Sequence, residues 1–226
     1  MTRYAVYAVP GAHDADADAA RRLRDAAEAW LAREDVRDLT SDARRYGFHA
    51  TLKAPMRLAD GRTEAELRAA ADAFAAEHRP LSIRAPRVTA IDAFRALVPA
   101  PGQQSALADL AAESVQVFDE FRAPLSPEDV RRRRPERLTP RQRELFERWG
   151  YPYVLDEFRF HLTLTDAVPV ERSAGVDAAL DEHFAPVTGV DVPLTAIAIC
   201  VEPAPGAAFE LLSVHPFALR TPQETT

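Results

Sequence analysis

The sequence is short of cysteine, of lysine and of long apolar runs, and each shortage removes a class of protein. Its single cysteine, Cys200, lies inside an apolar stretch at residues 195–201, so there is no disulfide framework, no Cys-x-x-Cys pair and no Cys/His metal spacing. Such usage fits a reducing compartment and predicts a cytoplasmic protein. No apolar run approaches the ~20 residues of a membrane-spanning helix. Residues 1–10 are too short and too aromatic for a secretory leader and read as a first strand. No membrane partner is expected. Surplus positive charge is missing too: the 226 residues carry a net charge of −7, a poor balance for a main partner of duplex nucleic acid. Residues 121–148 reverse the sign locally, with nine Arg against five Asp or Glu, a local +4 that leaves −11 for the rest. Of the 28 basic residues 27 are Arg; the one lysine is Lys53.

What is present is a pattern of alternating strands and amphipathic helices. Residues 4–9 alternate as a strand, and residues 15–33 place Leu23, Ala26, Ala27, Trp30 and Leu31 at helical spacing. A strand is predicted at 48–54. Thr63, with Glu66 three residues on, caps a helix that ends near residues 78–80. Residues 81–91 and 94–98 read as strands joined by a tight Asp92-Ala93 turn, followed by a helix over 103–121. The Arg- and Pro-rich insert at 122–156 is expected to hold one helix, 140–149, capped by Thr139 with Pro140 in the first turn. Then come a strand at 158–165, a helix near 171–184, strands at 194–201 and 209–219, and a disordered tail at 221–226.

Two stretches repeat. Phe48-His49-Ala50-Thr51-Leu52 matches Phe160-His161-Leu162-Thr163-Leu164, and each is followed by a helix and two strands. His49 to Leu81 is 32 residues and His161 to Leu194 is 33, while the next strands centre on Leu97 and Leu211 at offsets of 48 and 50. This is the signature of a duplicated βαββ-type module. It predicts an α+β or mixed α/β fold with lobe-forming repeats at about 48–100 and 158–219, related by a pseudo-two-fold with the two histidine strands facing each other.

In an extended strand, His49, Thr51 and Lys53 share one face, as do Arg159, His161, Thr163 and Thr165. A polar front of His, Thr and a cation, backed by Phe, Ala and Leu, has the character of a site lining. Breaking a phosphodiester needs one group to take a proton from the attacking oxygen and another to give one to the leaving oxygen. Two imidazoles titrating near neutrality hold both states at once, each worth roughly 10²- to 10⁴-fold in rate. Threonine hydroxyls can donate to non-bridging oxygens, and Lys53 or Arg159 can offset the growing charge. No metal and no cofactor are required. Asp14, Asp16 and Asp18 sit at a helix start, where carboxylates suit the dipole rather than a metal.

The paired His-x-Thr-Leu strands resemble the 2H phosphoesterase superfamily, which includes RNA 2′,5′-ligase-like proteins and cyclic phosphodiesterases. Residues 45–55, 121–125 and 148–165 resemble its bacterial branch associated with phosphonate metabolism. The resemblance covers nearly the whole chain. It implies a single bilobal domain, two antiparallel sheets facing a central cleft, His49 and His161 as catalytic residues, and Thr51 and Thr163 on phosphate oxygens. It suggests His161 as base and His49 as acid, although the symmetric motifs leave the roles open. It also suggests a small phosphorylated ribose as substrate, such as a 5-phosphoribosyl 1,2-cyclic phosphate.

Arg122 and the run 131–134 are candidates for a second phosphate, with a solvated helix face as the alternative for the run. Tyr46 adjoins the first histidine strand and is a further candidate for substrate contact. Trp149, Tyr151 and Tyr153 either stack on a base or sugar or simply pack among the prolines. His13, His78, His183 and His215 have no partner pattern and are left out of the site. The rival readings are a non-catalytic nucleotide- or RNA-binding module, and an RNA end-processing or 2′,5′-ligase-like enzyme. The acidic balance makes RNA the weaker partner. Oligomeric state is left open.

Overall fold

The computed structural model describes residues 1–218, so the tail expected at 221–226 lies outside the described residues. Strand β1 (Arg3–Ala8) leads into helix α1 (Asp18–Ala32), a 3-10 stretch (Glu34–Leu39) and the short helix α2 (Ser41–Tyr46). The first repeat follows as β2 (Ala50–Met56), α3 (Glu64–Glu77), β3 (Leu81–Ile83), β4 (Arg87–Ile91) and β5 (Phe94–Val98). Helices α4 (Ser105–Val117), α5 (Pro127–Arg133) and α6 (Pro140–Trp149) connect it to β6 (Leu162–Thr163), α7 (Val170–Phe184), β7 (Val192–Leu194), β8 (Ala196–Glu202) and β9 (Glu210–Pro216).

Local chemistry accounts for several boundaries. Thr63 accepts from the Glu66 amide while the Glu66 side chain takes the Thr63 amide, and α3 then buries Leu67, Ala71, Phe74 and Ala75. Thr139 and Gln142 start α6 in the same way behind Pro140, and Gly150 ends it at φ 75, a left-handed position that favours glycine. One helix escaped the sequence reading. Ser126 and Asp129 form a capping box at the start of α5, so the insert holds two helices rather than one. Asp92, at φ 49, makes the expected two-residue turn between β4 and β5, where Ile91 pairs with Phe94. The single strand expected at 81–91 is instead two, broken where Ala85 takes φ 37 before Pro86.

All strand pairs are antiparallel, in sheets ordered β2-β1-β8-β9, β4-β5-β6 and β3-β7. This is the α+β class expected. The repeats, however, do not each close their own sheet. The first histidine strand, β2, joins the second repeat's β8 and β9 through β1, while the second histidine segment, β6, joins the first repeat's β4 and β5. The two repeats exchange strands, so each edge carrying a histidine motif is completed by residues distant in sequence. At β3-β7, Leu81 pairs with Leu194 and Ser82 with Pro193. A shift of 112, the spacing of the two histidines, maps 81 to 193 and 82 to 194 and so exchanges these pairs, as a local two-fold requires. One contiguous core, including Trp30, Phe74, Phe118, Phe160 and Phe184, lies beneath both larger sheets.

Candidate active site

The two histidines are held by the same local construction. Gly47, at φ 74, ends α2 and turns the chain so that buried Phe48 anchors the core while His49 stands immediately before β2. His49 Nδ1 lies 2.8 Å from the Gly47 carbonyl, and His161 Nδ1 lies 2.7 Å from the Arg159 carbonyl, in each case two residues upstream. A carbonyl accepts and never donates, so Nδ1 carries the proton in both rings and Nε2 presents the working position. The Thr51 hydroxyl lies 3.2 Å from His49 Nε2. Tyr7 of β1 stacks on the His49 ring at 3.7 Å and 22°, and Phe94 of β5 flanks His161 at 5.5 Å. Burial pushes His49 down to about 4, opposed by the Gly47 carbonyl and reinforced by His161. Burial also lowers His161, opposed by the Arg159 carbonyl.

Both rings line one cavity of about 310 Å³, at the small end of the ~300–1,000 Å³ typical of ligand pockets. Thr51, Thr163 and Tyr46 line it with them, so five of the eight sequence candidates come together. The Tyr46 ring stacks on Phe209 at 5.1 Å and carries the Arg45 guanidinium at 4.8 Å. Arg159 is exposed and lines a second cavity of about 310 Å³ that shares Thr51, Tyr151 and His161 with the first and is otherwise walled by Phe94, Tyr153 and Phe158 among others. Of the three insert aromatics, Tyr151 borders both cavities, exposed Tyr153 borders the second, and Trp149 borders neither.

Three expectations are corrected. Lys53 does not share the face of His49 and Thr51. Along β2 the partner of Tyr7 is Thr51 but the partner of Val6 is Lys53, so Leu52 is an inserted bulge residue and the alternation slips. Lys53 is consequently 2% exposed, with its ammonium donating to Asp119 at 2.7 Å and to the Val115 carbonyl at 3.0 Å. Arg122 is also elsewhere: its guanidinium donates twice to Asp119, at 2.7 and 3.1 Å, and to the Arg148 carbonyl at 2.9 Å. Finally, the second histidine strand is only Leu162–Thr163, because the amides of Leu164 and Thr165 both turn onto the Arg95 carbonyl. Thr165 is fully buried there, its hydroxyl accepting from the Arg95 amide, and is not part of the lining.

Several lining residues were missed. Arg3 and Tyr7 lie on alternate positions of β1, on the face opposite Val6 and Ala8, which enter the main core. The period-two pattern of Arg3, Ala5 and Tyr7 was visible, but nothing in the sequence puts β1 beside β2. Asp166 accepts from the amides of Asp42 and Ala43, both at 3.0 Å, and so caps α2, tying the end of the second histidine segment to the helix that precedes the first histidine. Of the arginine run, Arg133 reaches the cavity wall, whereas Arg131 and Arg134 are exposed.

Among the described residues no helix is long and apolar enough to cross a membrane. A family model described as "Protein of unknown function (DUF1045)" matches residues 51–210. Two curated relatives carry the name ribose 1,5-bisphosphate phosphokinase PhnN. The one from Janthinobacterium sp. (strain Marseille) is 36% identical over 96% of this chain and 51% of its own length, and the one from Laribacter hongkongensis (strain HLHK9) is 34% identical over 92% and 50%. The chain thus spans about half the length of the curated relatives it matches. Among solved structures, a phosphoesterase aligns over 96% of this chain and 99% of its own with TM-score 0.46 and 14% identity. Escherichia coli LigT complexed with NADP+ aligns over 96% and 98% with TM-score 0.44 and 14% identity.

Proposed function

We infer that this chain, which belongs to the DUF1045 family, is a 2H-type phosphoesterase that hydrolyses a small cyclic phosphodiester with His49 and His161 as its general base and acid. The observation that carries this reading is that two imidazoles, each with Nδ1 bonded to a carbonyl two residues upstream, border one cavity together with Thr51 and Thr163. In the proposed reaction one neutral Nε2 takes a proton from water as its oxygen bonds to phosphorus, and the other, protonated, gives its proton to the ester oxygen as that P–O bond breaks. The threonine hydroxyls donate to the non-bridging oxygens. A proton passing from the first histidine to the second through solvent restores the starting state. The stronger depression of His49 favours it as the neutral base and His161 as the acid, the reverse of what the superfamily resemblance suggests.

For the substrate we propose a 5-phosphoribosyl 1,2-cyclic phosphate. Breaking its bond between phosphorus and O2 leaves the phosphate on C1 and yields ribose 1,5-bisphosphate, the compound in the name of the two curated relatives. A relative about twice as long as this chain would then hold the opening step and the following phosphorylation in one polypeptide. The test is a panel of cyclic phosphates turned over with EDTA present and followed by ³¹P NMR. Opening of the phosphoribosyl compound to the C1 phosphate supports the proposal. Turnover confined to nucleoside 2′,3′-cyclic phosphates overturns the substrate, and tight binding of cyclic phosphates without turnover favours a binding module.

A further inference from the structure

Beside the histidine cavity lies a smaller chamber of about 40 Å³ whose lining is strongly basic: Arg3, Arg57, Arg122 and Arg133 against one carboxylate, Asp129. Arg3, Arg133 and Tyr151, with Ala54 and Pro55, border both spaces, so the two are contiguous. The acidic residues of the larger cavity, Asp42 and Asp166, do not border the chamber, which leaves the positive charge concentrated at one end.

Carboxylates around this end are in short supply. Buried Glu202 is divided between Arg3 and Arg45, and Asp119 between Lys53 and Arg122. Arg133 rests on the Tyr151 ring at 4.4 Å, and among the described residues no carboxylate contacts its guanidinium. A guanidinium held against an aromatic ring, engaged with that tyrosine but with no carboxylate partner, is suited to a planar or tetrahedral oxyanion.

A second observation points to a ligand in the adjoining histidine cavity. Tyr7 is 1% exposed, stacks beneath His49 and lines the cavity, yet its hydroxyl has no hydrogen-bond partner among the described residues. Buried hydroxyls are nearly always paired, and an unpaired one on a residue that lines a ligand cavity is a donor without its acceptor. Burial, with Cys200, Tyr46 and Tyr151, keeps the Tyr7 proton on, opposed by Arg3; of these neighbours Tyr151 and Arg3 border the basic chamber.

We propose that Arg133, Arg3 and the Tyr7 hydroxyl form a second anion subsite that holds a phosphomonoester of the substrate, fixing the cyclic phosphate against His49, His161, Thr51 and Thr163. The substrate class is therefore a bisphosphorylated small molecule, one phosphate cyclic and the other terminal. The orientation along the cavity rests on the phosphoesterase reading above; the anion subsite itself does not.

The test uses ribose 5-phosphate, which carries the terminal phosphate but no cyclic one, titrated into the full chain by calorimetry, with ribose as control. Arg133→Ala weakens its binding by about 10- to 100-fold and Tyr7→Phe by about 3- to 10-fold, each variant first being checked for native thermal unfolding. Arg131→Ala, on the exposed part of the same helix, leaves it unchanged, and His161→Ala retains it. In turnover, Arg133→Ala lowers the ratio of kcat/KM for the phosphorylated over the unphosphorylated cyclic substrate. Binding equal in wild type and Arg133→Ala, or lost in His161→Ala and Thr163→Val but kept in Arg133→Ala, overturns the subsite. Arg133-dependent binding with no turnover of any cyclic phosphate overturns the phosphoesterase reading and leaves the subsite standing.

Discussion

Replacing Lys53 by methionine separates a structural role from a catalytic one. The side chain is 2% exposed, and its ammonium spends its donors on Asp119 at 2.7 Å and the Val115 carbonyl at 3.0 Å. Removing one partner of a buried ion pair typically costs ~3–5 kcal/mol because the other charge is stranded. Here Asp119 is 24% exposed and keeps two bonds from Arg122, so the loss falls to about 2 kcal/mol, shared between the weakened carboxylate and the unpaired carbonyl. For a chain of this length each kcal/mol shifts Tm by roughly 2–4 °C, which predicts a drop of about 4–8 °C by calorimetry. The kcat/KM on the proposed substrate stays within about threefold, because Lys53 does not border the histidine cavity. Lys53→Arg also destabilises, since a guanidinium must enter a space closed by Asp119, Val115 and the Trp149 ring 6.0 Å from the ammonium. That is a physical reason for an otherwise arginine-using chain to keep one lysine. An unchanged Tm, combined with turnover slowed by about two orders of magnitude or more, refutes the reasoning and returns Lys53 to the reacting phosphate.

The folded His49 titrates at about 4 against an unfolded value of ~6.5, so between these the unfolded chain binds more protons. Its contribution to stability is fully present above pH ~6.5 and falls as pH drops towards 4, by up to about 3 kcal/mol. Urea unfolding at pH 7 and pH 5 therefore shows a smaller loss for His49→Gln than for wild type; equal losses would contradict the burial argument. The acid and base assignment is read with a good leaving group. Against a p-nitrophenyl phosphodiester, which needs little protonation, the rate penalty of His161→Ala shrinks by about 10-fold or more relative to a sugar ester, whereas that of His49→Ala does not. The opposite pattern exchanges the roles.

The elements carrying strong local signals were legible: the capped helices at Thr63 and Thr139, the Asp92-Ala93 hairpin, and the two His-x-Thr motifs that the fold brings to one cavity. What stayed hidden depends on pairing between distant strands. A duplicated module predicts two lobe-forming repeats but not which strands pair, and β2 and β6 each complete a sheet built with strands of the other repeat, a choice set by packing rather than periodicity. Lys53 was misplaced for a related reason, since strict alternation cannot reveal the bulge at Leu52 that turns the side chain inward. Arg3 and Tyr7 join the site only because β1 lies beside β2.

The central claim, that the two histidines act as a proton-donating and proton-accepting pair, is tested most directly by the pH profile of kcat/KM on a turned-over cyclic phosphate, measured with EDTA for wild type, His49→Ala and His161→Ala. A bell-shaped wild-type profile is predicted, with each substitution costing about 10²- to 10⁴-fold and removing one limb. A profile that keeps both limbs in either variant, or a variant retaining wild-type kcat/KM, would contradict it.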